Sequence, residues 1–597
     1  MKIGNFFSEL KRRNVIRAAI LYLGAVWALA QGIAQLSPSV GAPDWTTRWF
    51  LVAAGIGFPF WIAFAWFYEF TPQGLKLDSE IDPTQSISRR TGRKLDLAII
   101  GVLAVAVVLL LTDRFVLRHG VNQTEGAPIP RKSIAVLPMV NSTGDPANEY
   151  FSDGMSEEFI SSLSRLSELK VVGRTSSFQF KGKTDDSKTI GEKLGVYYLL
   201  EGSVRKSADR VRIAVGLIKS GDGANVWSET YDRELKDIFA VQSEIAGAVA
   251  KELKVALLGD NGQTAQLATA ATPSNQDVRA YNALLQGNFY FIRRRAEDVR
   301  KAIDYYEEAI RLDPRYALAY ARLSIAEVSL AGSYGSVASK EGQDAIAKAR
   351  AMAQRAVELD PNLADAHSAR GAILRLVDFN FGAAEAEYRR ALDLAPQHAA
   401  VTANLALLLG ARGQLDEAIT LVQRAIALEP LRGGPHTNLA LYLTALGRYD
   451  EAEAALRKAI KVQPESAQNY MYLAVIQILR GKPGHAINLA KQESDPFWRT
   501  YALALAYFAN GDRSEADAAL KKLIDEDAED GGSQIATVYA LRKDPEKMFQ
   551  WLEHAWTARD AGVTELLYNP FLRAYKDDPR YIAFAQRIGV MPKPAAK

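Results

Sequence analysis

Apolar and polar residues change rhythm twice along this chain. Before residue 118 the apolar residues come in long runs, at about 15–36, 49–68 and 95–117. Each reaches the roughly 20 residues that a helix needs to span a bilayer core. Residues 97–111 form the plainest run, with eleven Ile, Leu or Val. Arg17, Gln31 and Gln35 interrupt the first run, and Pro59 falls in the second, where a membrane helix tolerates a kink. From 132 to 258 the runs shorten into strand-like and helix-like pieces. From about 282 to 589 a helical period takes over and repeats.

The repeat has a beat of about 34 residues, a length that marks a solenoid of helix pairs, each burying its apolar face only against its neighbours. Pro361, Pro396, Pro430 and Pro464 keep that beat to within one position. Each follows a similar phrase: "AMAQRAVELDP", "AEAEYRRALDLAP", "AITLVQRAIALEP" and "AEAALRKAIKVQP". Small residues recur where paired helices cross closely: Ala406, Ala418 and Ala425 before Pro430, then Ala440, Ala452 and Ala459 before Pro464. An earlier unit ends at Pro314, and the surplus before Pro361 falls near the insertion "GSYGSVASKEGQ". About eight units are expected between 282 and 589, closed by a capping helix in "DPRYIAFAQRIGV", with 590–597 a tail.

The middle segment predicts a compact α/β domain over 132–258. "SIAVLPMV" reads as a buried strand, and "RVRIAVGLI" alternates Val211, Ile213, Val215 and Leu217 as a strand with one buried face does. Asp153 or Ser152 is expected to cap the first helix, with Ile160, Leu163 and Leu166 on one face. The polar stretches 119–131 and 259–281 read as linkers. The fold class is therefore multidomain: N-terminal transmembrane helices in 1–118, an α/β domain, and a C-terminal all-α superhelical solenoid.

Lys and Arg give the expected sidedness. Lys2, Lys11, Arg12, Arg13 and Arg17 flank the first run, and Lys76, Arg89, Arg90, Arg93 and Lys94 precede the third. The loop between the first two carries only Arg48. The positive-inside rule then places the N-terminus in the cytoplasm. Three crossings predict a multi-pass membrane protein with its α/β and repeat domains outside the cytoplasm, which the bacterial resemblance given below makes the periplasmic side of an inner membrane.

Composition narrows the chemistry. The 72 Lys+Arg nearly balance the 69 Asp+Glu, which argues against a globally basic nucleic-acid binder. The chain has no Cys, so disulfides, thiolate nucleophiles and Cys-ligated metals are excluded. The six His show no HExxH or clustered spacing, and no G-x-S-x-G elbow occurs. "FKGKT" at 180–184 lacks the first Gly of a phosphate loop, with Ser177 in its place. Arg293, Arg294 and Arg295 read as a charged turn between helices. No enzyme activity, cofactor, metal or small-molecule substrate is expected.

The stretch from "SIAVLPMVNSTGDPANEYFSDGMSEEFISSLSRLSELKVVGR" to "GANVWSETYDRELKDIFAVQSEIA" resembles a TolB amino-terminal-type domain, in the version that bacterial proteins pair with tetratricopeptide repeats. The opening "FFSELKRRNVIRAAILYLGAVWALAQ" resembles the membrane segments of that group. Its relatives often carry an adenylate-cyclase or winged-helix domain ahead of the membrane, whereas here the first apolar run already begins at about Val15. The resemblance implies a scaffold or sensor, with a regulatory role in such signalling as the alternative. In tetratricopeptide repeats, Asn at position 6 often contacts the backbone of an extended peptide. Its amide can donate and accept, although Asn is also simply common there. Asn404 and Asn438 hold that position, with Arg370 and Tyr472 in the flanking units. The expected partners are a protein or extended peptide in the groove, and a membrane.

Overall fold

The computed structural model describes residues 45–71, 74–77, 129–166, 168–258, 277–333, 339–529 and 531–591, with a few positions between 15 and 30. These residues form two compact units, 1–128 and 129–597.

In the first unit, helix α1 (Trp45–Phe67) runs directly into a hairpin of β1 (Tyr68–Thr71) and β2 (Gly74–Leu77). Tyr22 packs on Phe58 and Trp61, and its hydroxyl donates to the Ala54 carbonyl at 2.8 Å. The expectation of a multi-pass membrane protein is corrected here. Among the described residues, no helix is long and apolar enough to cross a membrane. Thr46, Thr47 and Arg48 occupy the first turn of α1, Gly55, Gly57 and Pro59 lie within it, and a hairpin takes over at Tyr68. The run at 15–36 is described only at scattered positions, and 95–117 lies outside the described residues. The inferred periplasmic placement loses its basis with the crossings.

The second unit opens with a six-stranded sheet: β3 (Ser133–Val136), β4 (Val140–Asn141), β5 (Lys170–Val172), β6 (Tyr198–Ser207), β7 (Arg210–Lys219) and β8 (Asn225–Glu234). The order is β5-β3-β6-β7-β8, with β4 also on β6. β3 pairs parallel with β5 and β6, while β6, β7 and β8 form an antiparallel meander. Side chains alternate across the sheet. Ile134, Val136, Val211, Ile213 and Leu217 share one core with Phe151, Met155 and Phe159 of α2 (Glu149–Ser164) and Val241, Ile245 and Val249 of α5 (Ile238–Leu258). Ala135, Val172 and Leu199 face a second core with Ile190 and Leu194 of α4 (Ser187–Leu194). The short helix α3 (Arg174–Ser177) lies between β5 and α4.

Ser152 and Asp153 do not cap α2. The helix starts earlier, at Glu149, and both residues are buried within it. Asp145 caps the preceding 3-10 turn instead, accepting from Ala147 N at 2.9 Å. The turn "NSTGDP" is thus the start signal.

Among the described residues, eight helical hairpins follow. Their first (A) helices are α6 (Val278–Phe291), α8 (Ala317–Ser333), α10 (Ala364–Leu376), α12 (Ala399–Ala411), α14 (Gly433–Ala445), α16 (Asn469–Leu479), α18 (Pro496–Asn510) and α20 (Gly532–Leu541). Their second (B) helices are α7 (Ala296–Leu312), α9 (Lys340–Leu359), α11 (Phe381–Leu394), α13 (Leu415–Leu428), α15 (Tyr449–Val462), α17 (Pro483–Ala490), α19 (Arg513–Asp527) and α21 (Pro545–Thr557). Helix α22 (Pro579–Arg587) closes the chain. The prolines explain the stops. Asp313, Asp360, Ala395, Glu429 and Gln463 each precede a Pro, and each has left the helical region, with φ between −134° and −146° and ψ between 68° and 93°. A residue before proline is pushed from α to extended backbone by the ring.

Close packing within a hairpin is visible at Gly371 of α10. A Cβ there would lie 2.8 Å from the ring of Tyr388 in α11, a tyrosine that is fully buried.

Candidate interaction site

The four residues at equivalent repeat positions sit on four consecutive A helices. Arg370 lies on α10, Asn404 on α12, Asn438 on α14 and Tyr472 on α16, all half-buried. One period of the sequence equals one hairpin, so equivalent positions recur on neighbouring A helices. Their chemistry then diverges. The Arg370 guanidinium is engaged within its own repeat, 3.3 Å from Glu387, whose other oxygen meets His367 Nδ1 at 2.7 Å. Neither carboxamide of Asn404 or Asn438 makes a hydrogen bond among the described residues. Tyr472 faces a pocket formed by a distant part of the chain.

That distant part is residues 559–576, which hold two 3-10 turns, Ala561–Glu565 and Leu572–Tyr575. It lies across the later repeats. The Arg573 guanidinium donates to the carbonyl of Ala445 at the end of α14. Tyr568 packs edge-on against Tyr442, with ring centroids 5.5 Å apart. The Tyr575 hydroxyl donates to the Ala540 carbonyl at 3.1 Å. Asp560 fixes the entry, accepting from Ser533 N at 2.8 Å and Gly562 N at 2.7 Å. The last hairpin also returns to the third: Trp556 packs edge-on to Phe379 at 5.0 Å, with the Arg559 guanidinium 5.5 Å from the Phe379 ring.

The α/β domain occupies the other end. Tyr281 and Leu285 of α6 are buried in the core that α2 and the sheet share. Gln242 donates to the Tyr281 hydroxyl at 2.7 Å. The proline turns after α11 and α13 supply a polar latch. Gln397, beside Pro396, donates to the carbonyls of Leu166 and Leu169 and accepts from Val171 N at 3.0 Å. Glu429, beside Pro430, accepts from Thr175 N at 3.1 Å and Ser176 N at 2.7 Å. Gln179 donates to the Leu431 carbonyl at 2.6 Å. Gly173 is required here: a Cβ would sit 2.3 Å from a Glu429 oxygen. The buried amides thereby find partners, which an interface needs.

Charges between the domain and the repeats are shifted. Burial first, then the neighbouring Glu157, raises the Glu158 carboxyl to about 7, against the opposing pull of Arg165 and Arg322. Burial acts on Asp365 in the same sense, but Arg322, 3.1 Å away, and His398 hold it well below the usual range. Lys181, in the "FKGKT" stretch, sits between Glu149 at 2.7 Å and Asp153 at 2.5 Å, so its ammonium is committed to an internal ion pair. Arg293, Arg294 and Arg295 do form the turn between α6 and α7.

Sequence reasoning missed Gln397, Glu429, Glu565, Tyr568 and Arg573. Gln397 and Glu429 flank signature prolines, a signal that was present, but their partners in the α/β domain are remote in sequence.

Comparisons with known proteins agree with this division. Residues 130–247 match the family described as HilA/YgeH-like transcriptional regulator, second domain. Tetratricopeptide-repeat families match residues 292–316, 380–432, 437–497 and 501–529. A stretch of 242 residues is 37% identical to a Rhizobium meliloti (strain 1021) protein named "Putative adenylate cyclase 3". That match covers 40% of this chain and 40% of the relative, so the chain spans well under half of that relative's length. Among solved structures, Pseudomonas aeruginosa pilF is 19% identical over 36% of this chain and 91% of its own, with a TM-score of 0.29. YrrB, described as a TPR protein with an unusual peptide-binding site, is 20% identical over 31% of this chain and 87% of its own, with a TM-score of 0.22. Both are likenesses of repeat architecture alone. The C-terminal region is thus an all-helical tetratricopeptide-repeat solenoid preceded by an α/β domain, and such repeats are scaffolds for protein–protein interaction.

Proposed function

We propose that the chain is a non-catalytic scaffold that holds an extended peptide segment of a partner protein against its A helices, at Asn404 and Asn438. One observation carries this reading: both carboxamides lack hydrogen-bond partners among the described residues, on the stretch between the α/β latch and the C-terminal segment. A half-buried amide without a partner is poised to take one, and it can read a peptide bond from either side. The test is cross-linking and co-purification with the full chain and with the double variant Asn404→Ala/Asn438→Ala. Loss of a partner from a variant with unchanged circular dichroism supports the reading. Equal capture by both forms refutes it.

A second reading rests on the 37% identity to the Rhizobium protein and on the HilA/YgeH-type match. Here the same scaffold is a regulatory member of a cyclase or transcription-regulator signalling group, to which the TolB-type resemblance also points. Incubating the purified chain with ATP and assaying for cyclic AMP separates a regulator, which makes none, from an enzyme. Fold likeness alone does not carry activity.

A further inference from the structure

Where the C-terminal segment crosses repeats five to eight, it leaves a small cavity of about 30 Å³. Tyr472 of α16 and Trp498 and Tyr501 of α18 line it from the repeats, and Glu565, Tyr568 and Asn569 from the segment. The walls mix aromatic rings with aliphatic and polar side chains, among them Ser533, Gln534 and Thr537. Trp498 and Tyr501 meet edge-on at 6.1 Å. One charged group faces this lining, the Glu565 carboxylate, and no hydrogen bond or ion pair reaches it among the described residues.

Glu565 is half-buried, and a partly desolvated carboxylate gains from a cation or donors that meet it. Phenol and indole rings share this lining with Glu565, and aromatic rings attract positive charge over their faces. From this cavity and its lining we propose that the pocket is a binding site for an alkylammonium group, held by the Glu565 carboxylate among the rings of Tyr472, Trp498, Tyr501 and Tyr568. A water needs about 10–15 Å³ on this measure, so 30 Å³ admits a compact ammonium head. A metal ion is disfavoured because one carboxylate among neutral phenols and amides is a poor hard-ion ligand set. Burial and then Asp560 raise the Glu565 carboxyl to about 7. The ammonium has two sources, a free primary amine or the lysine side chain of a bound peptide.

The experiment is calorimetric titration of the full chain with methylammonium chloride, with guanidinium chloride at equal ionic strength as the control. Saturable methylammonium binding, lost at least tenfold in Glu565→Gln, is the expected result. Trp498→Leu keeps the charge but removes a wall, so it should also weaken binding, and it serves if Glu565→Gln fails to fold. A lysine-containing peptide that competes with methylammonium assigns the source to a side chain; failure to compete, with methylammonium still bound, assigns it to a free amine. Absence of saturable methylammonium binding, or equal binding by both variants, overturns the site. Because Asn404 and Asn438 are not in this pocket, this result is independent of the peptide reading above.

Discussion

Glu429 and Ser176, far apart in sequence, are tied twice. A Glu429 oxygen accepts the Ser176 backbone amide at 2.7 Å, and the Ser176 hydroxyl accepts the amide of Leu431, just past Glu429, at 3.0 Å. One acidic side chain at the end of a B helix therefore docks a separate domain.

Removing that side chain tests the latch. Glu429→Ala leaves the amides of Thr175 and Ser176 without acceptors at a buried junction, which costs about 1–3 kcal/mol. The expected outcome is faster proteolysis within 130–258 while the repeats stay protected. Cleavage at the wild-type rate would sink the idea.

Two carboxyls give the chain a pH dependence. Glu158 and Glu565 are each raised to about 7 from an ordinary 4.5. The folded chain then holds more protons than the unfolded chain between those values. Stability is greatest below about 4.5 for these groups and falls as pH rises through the window, by up to roughly 1.4 kcal/mol per pH unit per group. Above about 7 both states are ionised and the loss is complete. Urea unfolding across this range should show the decline, and Glu158→Gln and Glu565→Gln should each flatten it. A decline undiminished in both variants would contradict the assignment.

The C-terminal segment is anchored by Arg573. Arg573→Ala removes its bond to the Ala445 carbonyl, worth about 1.5–3 kcal/mol for a charged donor. Hydrogen exchange should then speed up in 561–576 and at the end of α14, but not in α6 or α7. Uniform exchange changes, or none, would show that Arg573 is not the anchor.

Gly371→Ala is the packing test. Its new methyl would press into the Tyr388 ring, and overpacking of this kind costs about 1–3 kcal/mol. Chemical denaturation should show that loss, and Tyr388→Leu in the same chain should relieve part of it. An unchanged midpoint would mean that the hairpin opens without cost.

The hairpins were legible because their signals are local: a proline, a few alanines and an apolar stripe recur within every repeat. The strand of Val211, Ile213, Val215 and Leu217 was legible for the same reason, and each of these side chains is buried. The contacts that join the parts were not. Gln397 and Glu429 look like ordinary polar turn residues until the α/β domain is laid on them. Residues 561–576 carry no repeat phrase, so nothing in their pattern shows that they cross the later hairpins. Apolar content also misleads at α1, where length and hydropathy hide the polar first turn and the hairpin that follows. Of the four residues singled out, Asn404 and Asn438 make no side-chain hydrogen bond among the described residues, while Arg370 and Tyr472 have internal neighbours.

The packing of Trp556 on Phe379 has a mechanical meaning. A stack of hairpins contacting only its neighbours is an open spring, soft to stretching because each joint yields a little. Here the eighth hairpin rests on the third, so the coil is wound shut. Extending the array must therefore part the indole from the phenyl ring as well as open the joints between neighbouring hairpins. A contact between distant hairpins stiffens such an array relative to a stack that touches only its neighbours.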